Sequence, residues 1–185
     1  MVKKKACVFI SGTGSNLKHL IINSFSYNFP VKISLIISSK KEAKGLLYAK
    51  KYAIPFLIFK KDKLSESKII NELRKRKIEL ICLAGFMKIL SKNFLRSFKK
   101  NIINIHPSLL PKFKGLNTYQ KILKNKEKKT GCTVHYVNEK LDDGEIIAKK
   151  MFFVDNKDNI ISLKKKTQKL EYQLFSEAII KIFRN

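Results

Sequence analysis

The sequence predicts an α/β fold with a doubly wound, mostly parallel sheet flanked by helices. The alternation of two kinds of segment indicates this class. In the first half of the chain, short apolar runs typical of buried strands alternate with amphipathic segments of helical periodicity. Strands separated by helices in this way run parallel, because each connection crosses back over the sheet. The predicted arrangement is Rossmann-like.

Five strands and three helices are predicted in this half. The strands are apolar runs bounded by glycine, proline or polar residues: Ala6–Ser11, Val31–Ser38, Pro55–Phe59, Leu80–Ala84 and Ile102–His106. The helices between them are Ser15–Asn23, Lys40–Tyr52 and Leu64–Lys77. Ser15 lies near the N-cap of the first helix, where a hydroxyl is favoured.

The second half is predicted to hold a long loop, two further strands and a closing helix. Pro107–Asn117 contains two prolines and a glycine, which favours a loop. The elements predicted after it are a short helix over Thr118–Asn125, strands over Thr133–Val137 and Glu145–Val154, and a long helix over Ile160–Phe183. A polar loop, Asn138–Gly144, connects the two strands.

A formal net charge of +26 first suggests a nucleic-acid partner. Only four of the 40 basic residues are arginines, however, whereas nucleic-acid readers favour arginine forks. The lysines are spread along the whole chain, so we expect solvated faces, anionic small-molecule substrates and no specific nucleic acid. A non-catalytic nucleic-acid-binding module is the alternative, which clustered arginines and exposed aromatic residues would favour.

The three cysteines, Cys7, Cys82 and Cys132, each stand in an apolar stretch. An odd number argues against a disulfide framework and favours buried thiols in a reducing compartment. No cysteine or histidine pair has zinc-ligand spacing, so no metal is expected. We find no signal peptide and no apolar run of membrane-spanning length, which predicts a cytoplasmic protein without a membrane partner.

A glycine-rich segment, Ser11-Gly12-Thr13-Gly14-Ser15-Asn16, follows the first predicted strand. Glycines let a ligand approach the backbone, and the next helix points its free N–H groups and positive dipole end at the same place. The segment is neither a P-loop nor a dinucleotide fingerprint, because Leu17 replaces the third glycine and no Gly-Lys-Ser/Thr follows. It predicts a phosphate site; a strand-to-helix turn without a ligand is the alternative.

Asn104 and His106 share one face of the fifth predicted strand, at the end where open α/β sheets place their sites. The amide can donate to a developing oxyanion, and the imidazole can move a proton at neutral pH. A carboxylate of the Asn138–Gly144 loop is expected to face His106 and raise its pKa; an ordinary Asp-Gly turn is the alternative. His19 is predicted as a surface or boundary residue and His135 as a packing residue.

Several segments together resemble the phosphoribosylglycinamide formyltransferases: Val8–Leu17, Leu83–Leu90, Asn104–Pro111, and Gly131–Val137 leading into Leu141–Gly144. The resemblance covers nearly the whole chain in the right order. It implies a Rossmann-like fold and transfer of the formyl group of 10-formyltetrahydrofolate, the co-substrate, to the amine of glycinamide ribonucleotide in de novo purine (IMP) biosynthesis. It also implies small-molecule substrates, no metal, and a monomer or homodimer.

The resemblance implies site residues by position. The catalytic trio is Asn104, His106 and Asp142. The residues matched to the ribonucleotide phosphate and the acceptor are Gly12, Thr13, Gly14, Ser15, Asn16 and Glu171. Those matched to the folate are Met87, Lys88, Ile89, Leu90, Asn104, Asn138, Leu141 and Asp142. We expect a single domain over residues 1–185, with a phosphate-binding half (1–100) and a catalytic and folate-binding half (101–185).

The implied mechanism is acyl transfer without a metal. The neutral amine of the acceptor attacks the formyl carbonyl, while Asn104 and protonated His106 stabilise the oxyanion. His106 then protonates the leaving folate nitrogen. Asp142 keeps His106 charged and relays the proton of the amine through water.

Some positions depart from the family pattern. Lys88 stands where arginine is expected, so that the compact charge of an ammonium group replaces a guanidinium group that can form two parallel hydrogen bonds. Asp143-Gly144-Glu145 stands where Gly-Gly-Pro or a similar run is expected, and Lys114 and Asn117 replace a common proline and histidine.

Two other enzymes that use 10-formyltetrahydrofolate remain alternatives. Methionyl-tRNA formyltransferase has a second, RNA-binding domain and lacks the Ser-Gly-X-Gly-Ser-Asn segment. Formyltetrahydrofolate deformylase hydrolyses the folate and usually carries an extra N-terminal domain. Neither additional domain is expected in this chain.

Overall fold

The structure, a computed structural model, describes residues 2–60 and 62–184. Its elements in chain order are β1 (Lys4–Ile10), α1 (Ser15–Phe25), β2 (Val31–Ser38), α2 (Leu46–Lys51), β3 (Phe56–Ile58), α3 (Lys63–Lys75), β4 (Leu80–Leu83), α4 (Lys92–Ser97), β5 (Asn101–His106), α5 (Thr118–Lys124), β6 (Lys129–Tyr136), β7 (Ile146–Phe153) and α6 (Ile160–Phe183). The described strands form a seven-stranded sheet in the order β3-β2-β1-β4-β5-β6-β7. β1 pairs parallel with β2 and β4, and β2 with β3, whereas β6 and β7 are antiparallel. The predicted fold class is confirmed.

The chain divides into two compact units, and the boundary lies inside β5, between Ile103 and Asn104. The single-domain organisation expected from the sequence stays a prediction. In the first unit β1 lies between β2 and β4. Every side chain from Ala6 to Ile10 is fully buried, which explains the continuous apolar run: a parallel strand covered on both faces has no solvent side.

Two helices of the first unit differ from the sequence prediction. The helix predicted over Lys40–Tyr52 is wrong at its start, because only Leu46–Lys51 is α-helical. The short helix α4 was not predicted from the sequence. The Ser91 side chain caps it by accepting a 3.0 Å hydrogen bond from the Phe94 N–H, so its start does carry a capping signal.

The second unit contains the antiparallel pair β6–β7 with α5 and α6. β6 begins at Lys129, four residues before the predicted start. At Gly131, which lies in this added stretch, a Cβ would lie 1.9 Å from the Lys150 carbonyl oxygen of β7. The glycine therefore permits close strand approach rather than ending the strand. α6 has the predicted bounds, and Asn159 and Ser162 form a capping box at its start.

Cys7, Cys82 and Cys132 are all buried and unbridged, as the sequence predicts. Burial raises the pKa of the Cys132 thiol to about 12 and raises the pKa of Cys7 and Cys82 as well. Within residues 2–60 and 62–184, no helix is long and apolar enough to cross a membrane.

Candidate active site

The glycine-rich segment after β1 forms an open turn in the first unit. Gly14 is the N-cap residue of α1 and has a left-handed backbone, with φ of +73°. A glycine has no side chain to cap the first helical N–H groups, and a helix N-terminus without a side-chain cap is suited to an anion. Gly12 and Thr13 are exposed, Ser15 is half-buried and Asn16 is buried.

Gly45 lies directly against this turn. Its N–H donates a 3.0 Å hydrogen bond to the Gly12 carbonyl. A Cβ added to Gly14 would lie 2.6 Å from the Gly45 Cα, so the two glycine backbones are in contact. This contact gives a physical reason for the late start of α2, because Gly45 bonds the turn instead of continuing a helix from Lys40.

Replacing Gly14 with alanine is expected to destabilise the protein by roughly 2–5 kcal/mol. The left-handed backbone costs a non-glycine residue about 1–2 kcal/mol, and overpacking against Gly45 adds about 1–3 kcal/mol. Urea unfolding measures the change. Gly12→Ala is the matched control, because its Cβ meets no atom within 4 Å. Equal losses of unfolding free energy in the two variants would contradict the close contact between Gly14 and Gly45.

The Met87–Leu90 segment follows β4 in the same unit. Met87 and Ile89 are each 66% exposed, and Lys88 is also exposed, whereas Leu90 is buried. Met87 and Ile89 therefore form an exposed apolar surface beside a lysine. The Met87 N–H donates a 2.8 Å hydrogen bond to the Ser11 hydroxyl.

The second unit brings Asn104, His106 and Asp142 together. Asn104 Nδ2 donates to Asp142 Oδ1 at 3.3 Å, and His106 Nδ1 lies 3.3 Å from Asp142 Oδ2. His106 and Asp142 are 5% and 9% exposed. A carboxylate of the Asn138–Gly144 loop therefore does face His106, as the sequence predicts.

Asp142 has a left-handed backbone with φ of +48°, and its Oδ2 accepts a 2.9 Å hydrogen bond from the Gly115 N–H. Burial alone would raise the pKa of Asp142. Hydrogen bonds from His135 and Gly115, and the nearby charges of His106 and His135, outweigh burial and hold the pKa below its usual value. Asp142 is therefore ionised in the free site.

The pKa of His106 differs from the sequence prediction. Burial lowers it below the usual value, although the Phe113 carbonyl and Asp142 act in the opposite direction. The effect of the carboxylate has the predicted sign, but the predicted net rise is wrong because burial is the larger cause. Both ring nitrogens face oxygen acceptors, with Nε2 2.9 Å from the Phe113 carbonyl oxygen. Only the protonated ring donates to both, so this cluster is poised to receive a proton.

His135 is a site residue that the sequence reasoning missed by treating it as packing. It is 2% exposed, its Nδ1 lies 2.8 Å from the Tyr136 carbonyl oxygen, and its Nε2 lies 3.2 Å from Asn104 Nδ2. Nδ1 must donate to the carbonyl, and Nε2 lies between the Asn104 amide at 3.2 Å and Asp142 Oδ1 at 3.6 Å. This arrangement fixes the orientation of the Asn104 amide. If the amide group were rotated by 180°, its oxygen Oδ1 would face the Asp142 carboxylate instead of its Nδ2. The alternation of side chains along β6 indicates this position in the sequence, because it places His135 on one defined face of the strand.

The remaining predicted residues of the second unit lie in the Asn138–Gly144 loop and on α6. Asn138 and Leu141 are exposed, and Asn138 Nδ2 donates to the Asp143 carbonyl at 3.2 Å. Asp143 pairs with Lys114. Glu171 is 8% exposed on α6. Its charge adds to burial in raising the pKa of Cys132.

Comparison with known proteins decides the family. The family model described as formyl transferase matches residues 4–179. The chain belongs to the formyl transferase family. A phosphoribosylglycinamide formyltransferase of Haemophilus influenzae is 40% identical to this formyl transferase, over 95% of the chain and 85% of the relative.

Solved structures agree with this assignment. A phosphoribosylglycinamide formyltransferase from Brucella melitensis superposes with a TM-score of 0.92 at 38% identity, over 98% of this chain and 96% of that one. One from Anaplasma phagocytophilum gives 0.91 at 40% identity, over 96% and 85%. In the described part of this formyl transferase, no group of three or more histidine, cysteine or acidic side chains is arranged to hold a metal ion.

Proposed function

We propose that this formyl transferase moves the formyl group of 10-formyltetrahydrofolate to the amine of glycinamide ribonucleotide, in de novo purine (IMP) biosynthesis. The observation that carries the proposal is the buried contact of Asn104, His106 and Asp142 in a chain 40% identical to a phosphoribosylglycinamide formyltransferase. Cytoplasmic location, small-molecule partners and a monomeric or homodimeric state belong to the same proposal.

His106 is the proton carrier of the proposed reaction. Because burial lowers its pKa, the free site holds a neutral imidazole near pH 7. Such a ring can take the proton that the attacking amine loses and return it to the departing nitrogen. Asp142 lies 3.3 Å from His106 and stabilises the ring while it is charged. One proton leaves the amine and one reaches the folate nitrogen, so the step balances.

Asn104 is the proposed donor to the formyl oxygen. Its two N–H groups are directed at His135 and Asp142 over 3.2 and 3.3 Å, which are long hydrogen bonds. One of them must turn toward the formyl oxygen as negative charge develops there. 10-Formyltetrahydrofolate supplies the formyl group, and we assign its contacts to Met87, Lys88, Ile89, Leu90, Asn104, Asn138, Leu141 and Asp142.

The acceptor is proposed to bind through its phosphate and its amine. The α1 N-terminus, with Gly12, Thr13, Gly14, Ser15 and Asn16, is assigned to the phosphate because its N–H groups are free of a side-chain cap at Gly14. Glu171 is assigned to the acceptor from the family match. Its carboxylate suits the polar groups of a glycinamide ribonucleotide.

The deciding experiment mixes the protein with 10-formyltetrahydrofolate and glycinamide ribonucleotide and follows loss of the formyl group. We expect loss only when the acceptor is present, with formylglycinamide ribonucleotide and tetrahydrofolate as products. Loss without the acceptor would instead identify a deformylase. Transfer to methionyl-tRNA but not to the ribonucleotide would identify the other alternative, and no loss under any condition would refute formyl transfer.

Replacing Ser15 with alanine is expected to raise the Michaelis constant for the acceptor by about tenfold, the usual cost of one lost hydrogen bond. Ser15 begins α1, where the phosphate is proposed to bind, so the constant for the folate should change less than twofold. Steady-state kinetics with each substrate varied in turn measure both constants. A folate-selective effect would show that the two substrates are placed wrongly.

A further inference from the structure

The Ser11 side chain joins three loops at the carboxyl ends of β1, β2 and β4. Its hydroxyl lies 2.6 Å from the Ser39 hydroxyl, which follows β2, and accepts a 2.8 Å hydrogen bond from the Met87 N–H, which follows β4. Ser11 is 5% exposed and begins the phosphate turn itself. Because all three residues belong to the first unit, the bridge is internal to it.

The hydrogen bonds of the Ser11 hydroxyl are made to neighbouring loops of the protein. The hydroxyl is buried, its proton or lone pair is shared with Ser39, and a further lone pair is used by the Met87 N–H. Its position in the glycine-rich segment would otherwise suggest a phosphate contact. The hydrogen bonds instead connect Ser11 to the segment with exposed Met87 and Ile89.

The Met87 backbone is held by this hydrogen bond. The preceding residue, Phe86, packs edge-on against Phe9 at 5.2 Å and Phe59 at 5.3 Å between ring centroids. Phe86 therefore anchors the chain into the core, and the next N–H is fixed by Ser11. From Met87 the chain presents three exposed side chains in succession. Their direction depends on the backbone at Met87.

We propose that Ser11 is a positioning residue that sets the Met87–Leu90 segment for folate binding. The proposal rests on the proposed function, since that assigns the segment to the folate. Ser11 belongs to the turn assigned to the acceptor phosphate, yet its substitution will act on the folate. A lost hydroxyl frees the Met87 N–H, and the exposed side chains after it lose their fixed direction.

The test compares Ser11→Ala, Ser11→Thr and Ser39→Ala. In Ser11→Ala we expect the Michaelis constant for 10-formyltetrahydrofolate to rise about tenfold, with less than a twofold change for the acceptor. Ser11→Thr keeps the hydroxyl and should stay within about threefold of wild type. Ser39→Ala removes only the Ser11–Ser39 contact and should leave both constants near wild type.

A second readout does not depend on turnover. Hydrogen exchange of the backbone at Met87 should quicken in Ser11→Ala and remain slow in Ser39→Ala. Equal rises of both Michaelis constants, unchanged exchange at Met87, or a Ser39→Ala variant as impaired as Ser11→Ala would overturn the proposal. An inactive wild-type protein would refute the proposed function. The exchange measurement is independent of activity, and slow exchange at Met87 in Ser11→Ala would refute the hydrogen bond on which the inference rests.

Discussion

Replacing Asp142 with asparagine will lower kcat by about 10³–10⁴, the upper part of the range for a lost acid–base group. Asparagine keeps the shape of the side chain but not its charge, so the positive form of His106, 3.3 Å away, loses its stabilising partner. The acceptor phosphate is assigned to the α1 N-terminus, and its Michaelis constant should change only a few-fold. Steady-state kinetics at saturating folate measure both effects.

Asp143→Asn is the matched control for this variant. Asp143 is exposed and pairs with Lys114, so the same chemical change one residue along should leave kcat within about threefold of wild type, in line with the small value of surface ion pairs. An Asp142→Asn protein with more than roughly a tenth of wild-type kcat would show that Asp142 is only a turn residue. Asp143 would then be the carboxylate to test.

The pH dependence should shift in a defined direction. The acid limb of kcat/KM reports protonation of the free-enzyme base, here His106, whose pKa burial holds below its usual value. Asp142 raises that pKa, so removing its charge lowers the pKa further. The acid limb of Asp142→Asn will therefore move to lower pH while its plateau falls. A limb that moves to higher pH would contradict the role of the carboxylate.

Replacing Gly144 with alanine should destabilise the protein by roughly 3 kcal/mol, at the upper end of overpacking costs. A Cβ there would lie 1.7 Å from the Tyr136 carbonyl oxygen, which is a backbone atom and cannot simply rotate away. The same oxygen accepts from His135 Nδ1 at 2.8 Å, so its displacement disturbs the partner of Asn104. We therefore also expect kcat to fall by about 10²-fold.

Urea unfolding and initial rates on the folded fraction separate these two effects. Gly12→Ala is again the control for stability, because its added Cβ meets no atom within 4 Å. A Gly144→Ala protein as stable and active as wild type would mean that the Gly144 and Tyr136 backbones move apart without cost. The departure of Asp143-Gly144-Glu145 from the family pattern thus leaves the sterically required glycine in place.

Sequence pattern predicted most of this fold because β4 and most of β1 are buried on both faces and appear as continuous apolar runs. Val31–Ser38 has the predicted bounds because most of its apolar run is buried, and Ile160–Phe183 has them because a helix of 24 residues is long enough to be recognised. The predicted start of α2 was wrong because a tertiary hydrogen bond, from the Gly45 N–H to the Gly12 carbonyl, overrides local helix propensity. α4 was not predicted because a helix of six residues is too short to show a helical periodicity in the sequence.

The catalytic cluster was only partly visible in the sequence. The strand alternation placed Asn104 and His106 on one face, and the loop supplied a facing carboxylate. The net pKa of His106 could not follow from residue order, because burial at 5% exposure outweighs a carboxylate 3.3 Å away. The role of His135 depends on which ring nitrogen meets the Tyr136 carbonyl, and that is a matter of side-chain geometry.

Alkylation of the three buried thiols can measure how fast each part of the protein opens. A thiol with a pKa of about 12, as at Cys132, carries almost no thiolate at neutral pH, and burial also keeps alkylating reagents away. Alkylation must then wait for local or global unfolding. Cys7 and Cys82 report on the first unit and Cys132 on the second, so peptide mass spectrometry after timed iodoacetamide pulses will rank the opening rates of the two halves without introducing any label.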